Sequence, residues 1–278
     1  MGDFAAAEQD YKEAGTAGFA GTERLRTRSL LQPKGRFDSD YPGTLAIIDS
    51  LDALSWQRDW AAGLVRFRRG DFPETVSLLG RLAPLSLDPE IGKSLRWAKE
   101  WGEYWGQELA LQKRDAEKND LPRLRITTSE GPVVVELFEG DAPNTVKDFV
   151  WLAEAHAYDG LAFEVPERFR RVTSGEPPES AARWAIRTEV TKRKPFRGMV
   201  AMANKGVDTE WARFFFVTGT LPEVDGHVTV FGRVLEGQGV VDRLISTDKI
   251  EKVEIVRKRP NVEYRPITVA GTLAPPPK

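Results

Sequence analysis

A chain of 278 residues with 40 basic and 42 acidic side chains, net charge −2, can bury a sizeable core and suggests two domains. That balance excludes a basic field for nucleic acid or an anionic membrane surface, and the absence of cysteine excludes disulfide and thiolate chemistry. Only two histidines, His156 and His227, lie far apart, so no metal site is expected. No apolar run reaches the ~18 residues of a membrane-spanning helix, and "MGDFAAAEQDYKEAG" lacks the basic start and apolar centre of an export signal. The expectation is a soluble chain, cytoplasmic or exported by a signal not present here, with the compartment left open.

Up to about Asn119 the apolar residues recur at helical spacing. "TLAIIDSLDALSW", "DWAAGLVRFRRG" and "FPETVSLLGRLAPL" predict helices, punctuated by Gly70-Asp71 and Pro84. In "SLRWAKEWGEYWGQELALQ" the indoles of Trp97, Trp101 and Trp105 stand on one stripe of a long amphipathic helix, expected to be buried against the preceding helices. Its start is marked by Asp88-Pro89-Glu90, a cap, a first-turn proline and an acid suited to the macrodipole.

After the charged stretch "QKRDAEKNDLPRLR" the period shifts towards two. "LRITTS", "VVVELF", "LAFEV", "GMVAMA", "FFFVTG", "TVFGRV" and "VEIVRK" predict strands, and "APNTVKDFVWLAEAHA" and "GQGVVDRLIS" predict two helices, the first opened by Asp141 to Asn144. The run Phe214-Phe215-Phe216 breaks the usual alternation and implies a strand covered on both faces. The pattern predicts an α+β multidomain chain: helical hairpins over 1–119, then seven or eight strands and two helices over 120–278, which suggest a β-barrel capped by helices.

Two resemblances follow from these residues. Trp60 to Pro89, with Trp60, Gly63-Leu64, Phe67, Ala83 and Pro89 near the marker positions, resembles one tetratricopeptide repeat, although Gly63-Leu64 is inverted and Val76 replaces a small residue. It implies a groove for a protein partner, or else a helical packing domain. The second covers about residues 123 to 270. "APNTV", "YDGLAF", "RGMVAMANKG", "FFFVTG" and "VDGHVTVFGRV" stand in the order and at the spacing of a cyclophilin.

The cyclophilin resemblance implies a closed eight-stranded β-barrel capped by two helices, and peptidyl-prolyl cis-trans isomerisation of proline-containing peptide or protein clients, without a cofactor. An X-Pro bond must leave resonance-stabilised planarity over a barrier of roughly 18–20 kcal/mol. An apolar pocket holding the proline ring and a donor aimed at the prolyl nitrogen lower that barrier. In the family the donor is an arginine. Here Phe163 matches the family phenylalanine, so Glu164 falls on the histidine and Val165 on the catalytic arginine. Thr173 takes a glutamine's place, Ala212-Arg213 replaces serine-glutamine, and Glu223, Val224 and Val228 stand where an aromatic, a leucine and a histidine are usual. Arg170 and Arg171 occupy positions that are apolar in the family.

Asn204 and Phe215 keep the family's substrate-backbone asparagine and pocket-floor phenylalanine, so Phe215 alone of its triplet should face the groove. Three alternatives stay open for the donor. Alignment on "FRRV" puts Arg171 in the catalytic place, although Pro166 then interrupts a central strand; Arg213 or Arg170 reaches in from elsewhere; or these arginines are tied to Glu164, Glu167 and Glu223 as a groove wall. The expected activity is accordingly that of a strongly weakened isomerase, with a non-catalytic proline-peptide module as the alternative.

Overall fold

The structure is a computed structural model that describes residues 55–82, 89–167, 170–176 and 184–275. The chain divides into two compact units, Met1–Glu103 and Tyr104–Lys278, each taken by itself below. Most of the helix expected over "TLAIIDSLDALSW" lies outside the described residues.

In the first unit α1 (Ser55–Arg69) and α2 (Phe72–Leu82) form a hairpin. Gly70 turns the chain at φ 95°, a left-handed conformation that costs glycine little. Trp60, Leu79, Leu82 and Ile91 make the core, and Gly63 lies so close to Leu79 that any Cβ there would collide with it at 2.7 Å. A small residue at position 63 lets the two helices approach.

Helix α3 (Pro89–Lys118) opens at the expected proline and is 30 residues long, its sequence crossing from one unit to the next. The indole stripe does not behave as one surface. Trp101 is buried, Trp97 is half-buried with its ring stacked 6.4 Å from Phe67, and Trp105 is half-buried and meets Phe196 edge-on at 4.9 Å. Burial against the preceding helices therefore fails for Trp105, whose partner belongs to the second unit. None of the described helices is long and apolar enough to cross a membrane.

The second unit is one eight-stranded sheet in the order β3-β4-β6-β5-β7-β2-β1-β8. Its strands are β1 (Arg123–Thr128), β2 (Gly131–Leu137), β3 (Glu164–Glu167), β4 (Arg171–Ser174), β5 (Met199–Met202), β6 (Phe214–Val217), β7 (Val230–Glu236) and β8 (Ile250–Arg257). Every named pairing is antiparallel. The two edges approach each other just before β3, where Ala162 bridges Lys249. Helices α4 (Pro143–Glu154) and α5 (Gln238–Arg243) complete the unit.

Two sequence expectations need correction. The strand foreseen over "LAFEV" starts later, at Glu164, and runs through Pro166. Proline is tolerated because β3 is an edge strand with an irregularity between Glu164 and Glu167. Strand β4, four residues in a segment rich in turn formers, had no expected counterpart.

Alternation along β6 divides the three phenylalanines as expected. Phe214 and Phe216 join the sheet's apolar cluster, Phe214 packing edge-on against Phe149 at 5.1 Å and Tyr158 at 5.5 Å. Phe215 lies outside that cluster, on the opposite face of the strand. Helix α4 begins without a side-chain cap of its own. Instead Glu189 accepts hydrogen bonds from the amides of Asn144 and Thr145 and from Thr145 Oγ1. A carboxylate there satisfies orphan N–H groups and complements the helix dipole.

The second half of α3 is held by Arg193, whose side chain is 1% exposed. Its guanidinium donates to Glu108 at 2.8 Å, to Asp141 at 3.0 Å and to Asp115, and lies 4.0 Å over the Phe138 ring. Several charge-assisted bonds offset the desolvation of a buried cation.

Candidate active site

The face of β6 that carries Phe215 gathers most of the residues singled out from the sequence. Thr173 is the cross-strand partner of both Phe215 and Glu164, and Ala201 pairs with Phe215 on the other side. Residues directly opposite in a sheet share a face, so Glu164, Thr173 and Phe215 form a row. Arg171 and Arg213 stand two residues away along β4 and immediately before β6 respectively.

Three arginines stand on or next to β4 and β6 and differ in their partners. Arg213 donates to Glu164 at 2.8 Å and lies 3.0 Å from a carboxylate oxygen of Glu176. Arg170 is ion-paired with Glu223, just before the turn residue Val224. Arg171 has no carboxylate partner among the described residues, and its guanidinium lies 5.7 Å over the Phe215 ring. Of the anticipated carboxylates, Glu164 and Glu223 are used, and the side chain of Glu167, opposite Arg171 in the β3–β4 register, lies outside those described; Glu176 was not foreseen, since its closeness to Arg213 depends on Gly175. That glycine sits at φ 89°, where a Cβ would come within 2.4 Å of the Ala212 oxygen.

Val165 faces elsewhere. Its side chain packs against the sheet's apolar cluster, as does Phe163, and its amide donates to Ser246 Oγ at 3.3 Å. Glu164, between them, is the residue of β3 that reaches Arg213. Arg171, the residue that the "FRRV" alignment selects, lies on β4 and pairs with Val217 of β6.

The remaining positions singled out from the sequence lie on the segments after β5 and before β7. Asn204 donates from Nδ2 to the His227 carbonyl at 2.7 Å and more weakly to Glu210 at 3.4 Å. Val228 is buried and Val224 half-buried. Glu210, which the sequence did not single out, is fully buried and accepts from the amide and hydroxyl of Thr229. Burial raises its pKa, opposed by those hydrogen bonds. It braces the segment carrying Asn204, and a lone glutamate in "DTEWARFF" offered no signal of that role.

Behind this face Asp148 of α4 is wholly buried and accepts from Trp184 Nε1 at 2.8 Å. Desolvation pushes its pKa up to about 7, against the stabilising bond from Trp184. Tyr158, whose hydroxyl donates to the Ala212 carbonyl at 3.2 Å, also titrates well above its usual range because of burial.

The model of the family described as cyclophilin type peptidyl-prolyl cis-trans isomerase/CLD matches residues 123–269. The chain belongs to this family. A relative named peptidyl-prolyl cis-trans isomerase, from Helicobacter pylori, is 36% identical over 141 residues, which are 46% of this chain and 83% of the relative. Peptidyl-prolyl cis-trans isomerase-like 2 of Cryptococcus neoformans is 34% identical over 201 residues, 68% of this chain. The match spans only 34% of that longer relative's length. Among solved structures, a Cryptosporidium parvum cyclophilin type isomerase is similar at TM-score 0.46 and 23% identity, over 50% of this chain and 99% of that one. Within the matched residues of this cyclophilin family member, Arg213 is ion-paired with Glu164 and Glu176, and Arg170 with Glu223.

Proposed function

We propose that the chain is a cyclophilin-type isomerase of X-Pro bonds in peptides or protein clients whose activity is strongly reduced. The observation that carries this reading is the state of β3: Val165 packs against the apolar cluster and Glu164 is engaged with Arg213. No arginine of that strand is available as the donor. Loss of one preorganised donor costs roughly two to three orders of magnitude in rate. Arg171, beside Phe215 and without a carboxylate, is the best-placed substitute among the arginines of the described residues; Arg213 is occupied twice.

The same ion pairs favour a second reading, a non-catalytic proline-peptide binding or scaffold module. We also take the sheet to close as a barrel, which the Ala162–Lys249 bridge supports. Residues 1–119 are proposed as a tetratricopeptide-like domain that docks a protein partner. The close approach of α1 and α2 at Gly63 supports this packing.

A coupled assay on a short X-Pro peptide at high protein concentration tests the reading. The wild type should turn over at least about 100-fold more slowly than the Helicobacter relative. Arg171→Ala should lose about tenfold more than Arg213→Ala. Peptide binding with no measurable turnover establishes the second reading, and turnover at the relative's rate refutes the weakened site.

A further inference from the structure

The Phe215 ring has no exposed surface, although it lies outside the apolar cluster that buries Phe214 and Phe216. The Arg171 guanidinium lies over it. A proline ring that approaches Phe215 from this side meets the guanidinium and displaces it, giving up a cation–π contact. Arg213 and Arg170 already have carboxylate partners, whereas Arg171 has none among the described side chains, which do not include that of Glu167. We propose that Arg171 is a specificity-determining residue that selects substrates with a carboxylate side chain next to the proline.

The inference rests on the proposed proline-binding role of this face. A glutamate beside the proline supplies the anion that holds Arg171 off Phe215, so the opening of the floor and the recognition of the peptide are one event. The planar fork of arginine suits a carboxylate in two-point contact. A basic neighbour would instead meet Arg171 as a like charge.

Binding titrations of the full chain with acetyl-Ala-Xaa-Pro-Phe-amide, Xaa being Glu, Gln or Lys, test this. The Glu and Gln peptides differ in charge at nearly constant shape. Glu should bind about three- to tenfold more tightly than Gln, with Lys weakest, and the preference should shrink at high ionic strength. In Arg171→Gln the Glu and Gln affinities should converge. Arg171→Lys, which keeps the charge and remains informative if the glutamine variant fails to fold, should retain part of the preference.

Equal Glu and Gln affinities in the wild type overturn the proposal while leaving the proline-binding role intact. A preference that survives in folded Arg171→Gln, or that Arg213→Gln abolishes instead, also overturns it. Failure of all three peptides to bind overturns the proline-binding role itself, and this inference with it.

Discussion

At the scale of single residues, Val165 is the position where a motif comparison and the structure lead to different experiments. A comparison of motifs invites restoration of the family arginine there. The side chain at 165 packs against the apolar cluster, so Val165→Arg would press a guanidinium into a site with no carboxylate bonded to it. We expect that variant to lose about 1–3 kcal/mol of stability and to gain less than about twofold in isomerisation. Paired urea unfolding and peptide assays check both values. A tenfold gain would show that residue 165 reaches the outer face. Thr173 and Arg213 as neighbours of Phe215 were legible, because alternation along β6 and the motif spacing locate them, but the motif comparison put Val165 rather than Glu164 on that face. The partners of the arginines were only half legible. Glu176 follows Gly175, and nothing in a local pattern reveals that this glycine hugs the Ala212 backbone.

Among the elements, α4 shows how a helix announced by its sequence is held by groups that are not. "APNTV" locates the start, yet the anion that caps it, Glu189, comes from 45 residues further on. Glu189→Ala should cost about 1–2 kcal/mol, read from the denaturant midpoint, since it orphans two helix amides and a hydroxyl. Asp148, on the same helix, gives the unit a pH dependence. Its folded pKa of about 7 exceeds the ordinary value of 3.8, so between those two values the folded state holds more protons than the unfolded one. Stability from this group is therefore full below about pH 4 and is lost as pH rises towards 7. Asp148→Asn retains an acceptor for Trp184 and should flatten that dependence; unfolding curves from pH 4.5 to 8 would reveal it. Strand β4 escaped the sequence reading because four residues between turn formers give too short a period to recognise, and its existence depends on β6 pairing beside it.

For the whole molecule, the contrast between a helical first part and a β-rich second part was legible from the change of period near residue 120. The ionic contacts that tie residues 104–118 into the second unit were not. They depend on a buried arginine whose partners are far away in sequence, and periodicity carries no information about such pairs. A fragment of residues 120–278 would lack Glu108 and Asp115 and leave Arg193 with Asp141 alone. We expect it to be less stable than a fragment of residues 104–278 by about 3–5 kcal/mol in urea unfolding, the usual penalty for stranding a buried charge. Equal stabilities would show that Arg193 finds water or another partner.

The bonds of Arg193 also bear on how the chain reaches its fold. They close separations of 52, 78 and 85 residues, so the entropy of loop closure is spent before they return anything. An isolated segment of about 15 residues is only marginally helical in water. The second half of α3 should therefore gain its protection late, when the strands are already assembled, and should open together with them as one cooperative unit rather than fray as a free helix end.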